Sequence, residues 1–107
     1  MNKTLQEQFH DDMLAIYDVV GHATNGLYWP RRFRMKVRNW GGIEAARDYL
    51  NPKKYKGTSE GFERLKNLSQ LQHSMEALVL RLCYSTLFTP EQLAVARQRL
   101  NSSGYAP

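Results

Sequence analysis

Hydrophobic residues recur along this chain at helical spacing. Leu5, Phe9, Met13, Ile16 and Val20 are separated by steps of three or four, and Leu14 and Tyr17 widen the stripe. Residues 4 to 20 therefore read as one amphipathic helix. Thr4 and Glu7 have capping-box spacing, and Glu7, Asp11 and Asp12 lie where the helix dipole favours acids. Gly21 is the expected stop, with HATNG as loop. Pro30 suits the first turn of a second helix, whose stripe is Trp29, Phe33, Val37 and Trp40. Gly41-Gly42 supplies a sharp turn, and Ile43, Ala46 and Leu50 give a third helix a narrow buried face, ended by Asn51-Pro52.

The second half of the chain is punctuated by caps. Ser59 opens a short helix with Phe62 and Leu65 inward, and Gln70 to His73 reads as a turn. Ser74 opens a helix over MEALVLRLCY, apolar on most faces and so expected to be the most buried element. Thr89-Pro90-Glu91-Gln92 combines an N-cap, a proline at the first helical position and a capping box. The helix it starts is expected to turn Leu93, Ala96 and Leu100 inward and Arg97 and Arg99 outward. From about residue 101 the chain reads as a short flexible tail, with Tyr105 placed to fold back. Period-2 runs and hairpin dipeptides are absent. The expected fold is all-α: one domain over residues 1–107, a compact orthogonal bundle of five to six short helices.

Composition narrows the function classes. With 107 residues and 42% hydrophobic content, the chain can bury a core without staples. Its one cysteine, Cys83, cannot form an internal disulfide; set among apolar residues, it reads as an inert buried thiol. The polar N-terminus does not read as a signal peptide, and no apolar run approaches the roughly 18 residues of a membrane span. A reduced, cytoplasmic protein without membrane contact is expected.

The net charge of +5 is uneven. Residues 1–27 carry a net of −3, residues 28–66 carry eleven Lys/Arg against four acids, and residues 67–107 carry a net of +1. Arg31, Arg32, Arg34, Lys36 and Arg38 fall within eight positions of the second helix, where Arg31, Arg34 and Arg38 form a ridge. Lys53, Lys54 and Lys56 follow in the loop NPKKYKGT. Several cations on one face suit phosphate, arginine especially because its fork grips two oxygens. Tyr28 and Tyr55 stand nearby as stacking platforms for unpaired bases. The plain alternative is a solvated face whose long side chains cover apolar surface.

Other constellations are weaker. A helix-turn-helix over residues 30–50 would aim Glu44, Arg47 and Asp48 at phosphates, which two carboxylates oppose. His10, His22 and His73 lack metal-ligand spacing and read as surface histidines. Ser74 and Glu76 read as a cap and a first-turn acid rather than as catalytic groups. Trp29 and Trp40 read as core aromatics, with an exposed partner anchor as the alternative for one of them. No catalytic residue, metal, cofactor or small-molecule substrate is expected; an enzyme would need a deep pocket holding Glu76 or His73.

Arg32-Phe33, Gly41 to Ala46, Gly61 to Leu65, Ser74 to Leu80, Leu87 to Thr89 and Ala96 to Leu100 follow a shared pattern. It resembles that of small, stand-alone, uncharacterised bacterial proteins with GGxEAA, GFxxL, SxEALVL and LFT...ARxRL motifs. The resemblance implies a single helical domain and carries no activity. Gln72-His73 and Leu82-Cys83-Tyr84 depart from the pattern, which has an acidic residue and leucine, and Pro-Glu-Phe, at those places. A function resting on those acidic positions would be partly lost here. The composite expectation is a non-enzymatic module whose basic face contacts nucleic-acid backbone without base specificity. The alternative is an adaptor, inhibitor or antitoxin-like subunit that docks this face on an acidic protein.

Overall fold

The first helix carries the core. In the computed structural model, which describes residues 3–105, α1 spans Leu5–Ala23. Its Phe9, Met13, Ile16 and Val20 are buried. Both halves of the Thr4–Glu7 capping box are formed, so the helix starts where local chemistry dictates. It does not stop at Gly21. The missing side chain there serves close approach: a Cβ on Gly21 would lie 2.1 Å from the Trp29 ring. Termination falls instead at Thr24, whose hydroxyl donates to Val20 O at 2.8 Å and accepts from the Tyr28 N–H.

The remaining helices are α2 (Arg31–Trp40), α3 (Gly42–Tyr49), α4 (Glu60–Asn67), α5 (Met75–Val79) and α6 (Pro90–Ser102). Short 3-10 turns lie at Leu71–His73 and Ser85–Leu87, and no strand occurs among the described residues. The described residues thus form an all-α bundle of six helices. α1 packs against α2, α3 and α5, and α6 lies against α5. The radius of gyration, 13.0 Å, is that of a compact chain of this length.

The α1–α3 packing depends on Gly42. A Cβ there would come within 2.7 Å of the His10 backbone, and the Gly42 N–H donates to His10 Nδ1 at 2.9 Å. His10 is therefore a cap for α3 rather than a surface group: its ring nitrogen satisfies one of the N–H groups a helix start leaves open.

Several expectations are corrected. The helix foreseen over residues 75–84 ends at Val79, and tight turns follow, with Tyr84 N–H bonded to Arg81 O at 2.9 Å. This turn swings Tyr84 into the core against Phe9, which also packs edge-on against Phe88, and sets its hydroxyl on Asp12 at 2.5 Å. Leu82 and Cys83 are thereby left exposed, so Cys83 is not a buried thiol. Trp40 is half-exposed at the end of α2 rather than in the core. Arg99, expected outward, is buried against Glu76. At the C-terminal end, α6 reaches Ser102 and Tyr105 folds back onto the core. Residues 101–105 thus continue and close α6 where a tail was expected, and Ala106 and Pro107, the rest of that stretch, lie outside the described residues.

Candidate functional site

The basic segment divides into cations that face solvent and cations that hold the fold. Arg31, Arg32, Arg38, Lys53 and Lys56 are exposed. Arg34 is half-buried, its guanidinium 3.7 Å from the centre of the Tyr17 ring, so it clamps α2 to α1. Lys36 turns inward to Asp48 and lies over the Tyr49 ring at 4.0 Å, with its side chain only 15% exposed. Lys54 reaches the same Asp48 at 3.0 Å. Burial pushes the Asp48 carboxyl up, but the bonds from Lys36 and Lys54 outweigh it and hold the group below its ordinary range. Asp48 thus gathers α2, α3 and the 51–58 loop.

That loop is tied down elsewhere too. The Asn51 side chain accepts from the Lys53 N–H at 3.0 Å, an Asx turn that Asn-Pro favours. Tyr55 O accepts from Arg99 at 3.4 Å. Tyr55 is therefore held by its backbone on α6 and by its hydroxyl on Lys36 at 3.2 Å.

Beneath the loop lies a cleft of about 590 Å³ between the starts of α2 and α4, the end of α3 and the start of α5. This volume suits a small organic ligand. Aromatic rings form much of its wall: Tyr28, Trp29, Phe33, Tyr49, Tyr55 and Phe62. Phe33 and Tyr49 are stacked at 5.7 Å with planes 20° apart. Arg31, Arg32 and Arg64 stand around it, with Glu60 as the one opposing surface acid. Arg64 lies 4.9 Å from the Tyr28 ring centre and donates to Leu27 O at 3.3 Å.

Glu76 also lines the cleft and accepts from Arg99 at 3.1 Å, both side chains being 6% exposed. Burial pushes the Glu76 carboxyl above its ordinary range, and the Arg99 charge opposes that shift. Burial likewise raises the phenols of Tyr28 and Tyr49, the latter to about 12, so both are neutral hydroxyls at physiological pH.

The foreseen residues therefore fall into two groups. Tyr28, Arg31, Arg32 and Tyr55 converge on the cleft, whereas Arg34, Lys36, Arg38, Lys53, Lys54 and Lys56 lie outside its walls. Arg64 and Tyr49 were missed as site residues, whereas Glu76, read as a first-turn acid, lines the cleft, the placement an enzyme would need. No local signal marked Arg64 or Tyr49: Gly61 lies in the wall of the cleft, where a Cβ would come 3.2 Å from the Tyr28 hydroxyl, a closeness that exists only in the folded chain. His73 lines a separate pocket of about 120 Å³ with Asp12 and Arg81. Among the described residues, no group of three or more His, Cys, Asp or Glu is placed to hold a metal ion. No described helix is long and apolar enough to cross a membrane. No family model, curated protein or solved structure matches this chain.

Proposed function

We propose that this chain is a non-enzymatic binding module whose basic face contacts the phosphate backbone of nucleic acid without reading base sequence. One observation carries the reading. Among the described residues, Arg31, Arg32, Arg38, Lys53 and Lys56 are exposed and have no ion-pair partner. They occupy one helix and one loop that Asp48 ties together. Cations left free on adjoining elements release counterions when phosphates replace them, which makes binding favourable and steeply salt-dependent. Arg34 and Lys36 act instead as struts for that face.

The test is fluorescence anisotropy with labelled single- and double-stranded oligonucleotides at two salt concentrations. Arg31→Glu/Arg38→Glu, which touches neither strut, should weaken binding at least tenfold and flatten the salt slope by about two phosphates. Unchanged binding by that variant sinks the reading.

A second reading draws on Trp40 and Met35, which are 50% and 63% exposed on α2 beside Arg38. Large apolar residues amid cations suit an acidic protein partner, because tryptophan and methionine anchor interfaces. A stoichiometric protein partner recovered after nuclease treatment and lost in Trp40→Ala would favour it.

A further inference from the structure

The cleft beside the basic face has a chemistry of its own. Two sides of a nucleotide need different surroundings: the base needs a flat apolar slot with a few polar groups, and the phosphate needs cations at the mouth. Phe33 and Tyr49 line the cleft stacked on each other, with Lys36 already over the Tyr49 ring, and Tyr28, Tyr55 and Phe62 add further apolar wall. Glu76, its charge matched by Arg99, lines the interior, where a carboxylate can accept from the exocyclic amine of a base. Arg31, Arg32 and Arg64 line the cleft against the single surface acid Glu60, and the Arg64 guanidinium stands over the Tyr28 ring. The first turns of α2 and α4 both border the cleft, and their positive dipole ends add to the attraction for an anion.

We propose that this cleft binds one unstacked nucleobase together with its attached phosphate, the base lying along the Phe33–Tyr49 wall and the phosphate held by Arg31, Arg32 and Arg64. Two sources share this chemistry: a nucleotide within a single strand and a free nucleoside monophosphate. The strand source rests on the reading of the basic face given above. The free-nucleotide source stands without it.

Trp29 lines the cleft and offers an internal reporter. The chain has two tryptophans, so Trp40→Phe, at a half-exposed position, leaves Trp29 as the only one. This full-length variant is titrated with adenosine monophosphate, with ribose 5-phosphate, and with a single-stranded oligodeoxyadenylate whose binding is followed separately by anisotropy. Adenosine monophosphate, the oligonucleotide or both should quench Trp29 saturably, with ribose 5-phosphate producing under a tenth of the change. Quenching by the oligonucleotide alone assigns the site to a strand. Quenching by the mononucleotide without oligonucleotide binding assigns it to a free nucleotide and removes single-strand binding from the backbone reading.

Two cleft variants are then added in the Trp40→Phe background. Arg64→Ala removes a cation that belongs to neither α2 nor the loop. Gly61→Leu grows a side chain beside the Tyr28 hydroxyl, the nearest neighbour a Cβ would meet, and circular dichroism checks its fold. Each should weaken quenching at least tenfold. The inference is overturned if no nucleotide form quenches Trp29, if ribose 5-phosphate does so equally, or if Arg64→Ala and folded Gly61→Leu both behave as the parent. Oligonucleotide anisotropy that persists without quenching leaves the basic-face reading intact while removing this one.

Discussion

Replacing Arg99 by methionine tests the centre of the fold. Arg99 and Glu76 are 3.1 Å apart with side chains 6% exposed, and their helices pack against each other. At an effective dielectric constant near 20 their attraction is about 5 kcal/mol, set against a desolvation cost of several kcal/mol per ion. The net worth of the intact pair is therefore small, whereas a lone buried carboxylate is expensive. Arg99→Met should lower stability by about 3–5 kcal/mol at neutral pH. The bond to Tyr55 O is lost with it.

Urea unfolding followed by circular dichroism measures this. A chain of this size has an m-value of about 1–3 kcal/mol/M, so the midpoint should fall by at least about 1 M. The double variant Glu76→Met/Arg99→Met should recover most of the loss, because no charge remains buried. The pH dependence has a definite sign. Without Arg99, burial raises the folded-state carboxyl of Glu76 further above its ordinary 4.5. A raised carboxyl favours the folded state most below the unfolded value and loses that advantage as pH rises through the folded value. The deficit of Arg99→Met should therefore be smaller near pH 4 than at pH 7. A loss below about 1 kcal/mol at pH 7, the range of an exposed pair, refutes the reasoning.

Three further outcomes are expected. Gly21→Ala places a methyl carbon within 2.1 Å of the Trp29 ring, so the ring must move; overpacking of this kind costs about 1–3 kcal/mol, measured by urea unfolding and accompanied by a shift in Trp29 emission. Thr89→Ala removes half of the α6 capping box and should lower stability by about 1 kcal/mol by the same melt. Asp48 is held below its ordinary 3.8 by Lys36 and Lys54, so its contribution is complete above that pH and is lost as pH falls through the lower folded value; Asp48→Asn should therefore flatten the acid limb of the stability profile below pH 4.

The cleft was illegible for a physical reason. Its walls come from residues as far apart as Ile16 and Glu76, and no periodicity within one helix records which other helix will stand opposite. Lys36 and Lys54 were read as phosphate contacts because they share a basic segment. Asp48, 12 positions from one and 6 from the other, pairs with both, drawing Lys36 inward and leaving Lys54 half-exposed. Arg99 was placed outward because charge usually seeks water, and only a carboxylate 23 positions away makes its burial affordable.

Local chemistry by itself determined the all-α class, the starts of α1, α4, α5 and α6, and the apolar stripe of α1. Caps at Thr4, Ser59, Ser74 and Thr89 act within three residues, so their consequences lie within the segment that contains them. Tertiary structure decided the rest. It turned Tyr84 inward and left Leu82 and Cys83 outside, made His10 the cap of α3, and gathered Tyr28, Tyr49, Arg64 and Glu76 around one cleft. A helix start is settled by neighbours in the chain; a buried charge or a cleft depends on neighbours in space, which exist only once the helices have packed.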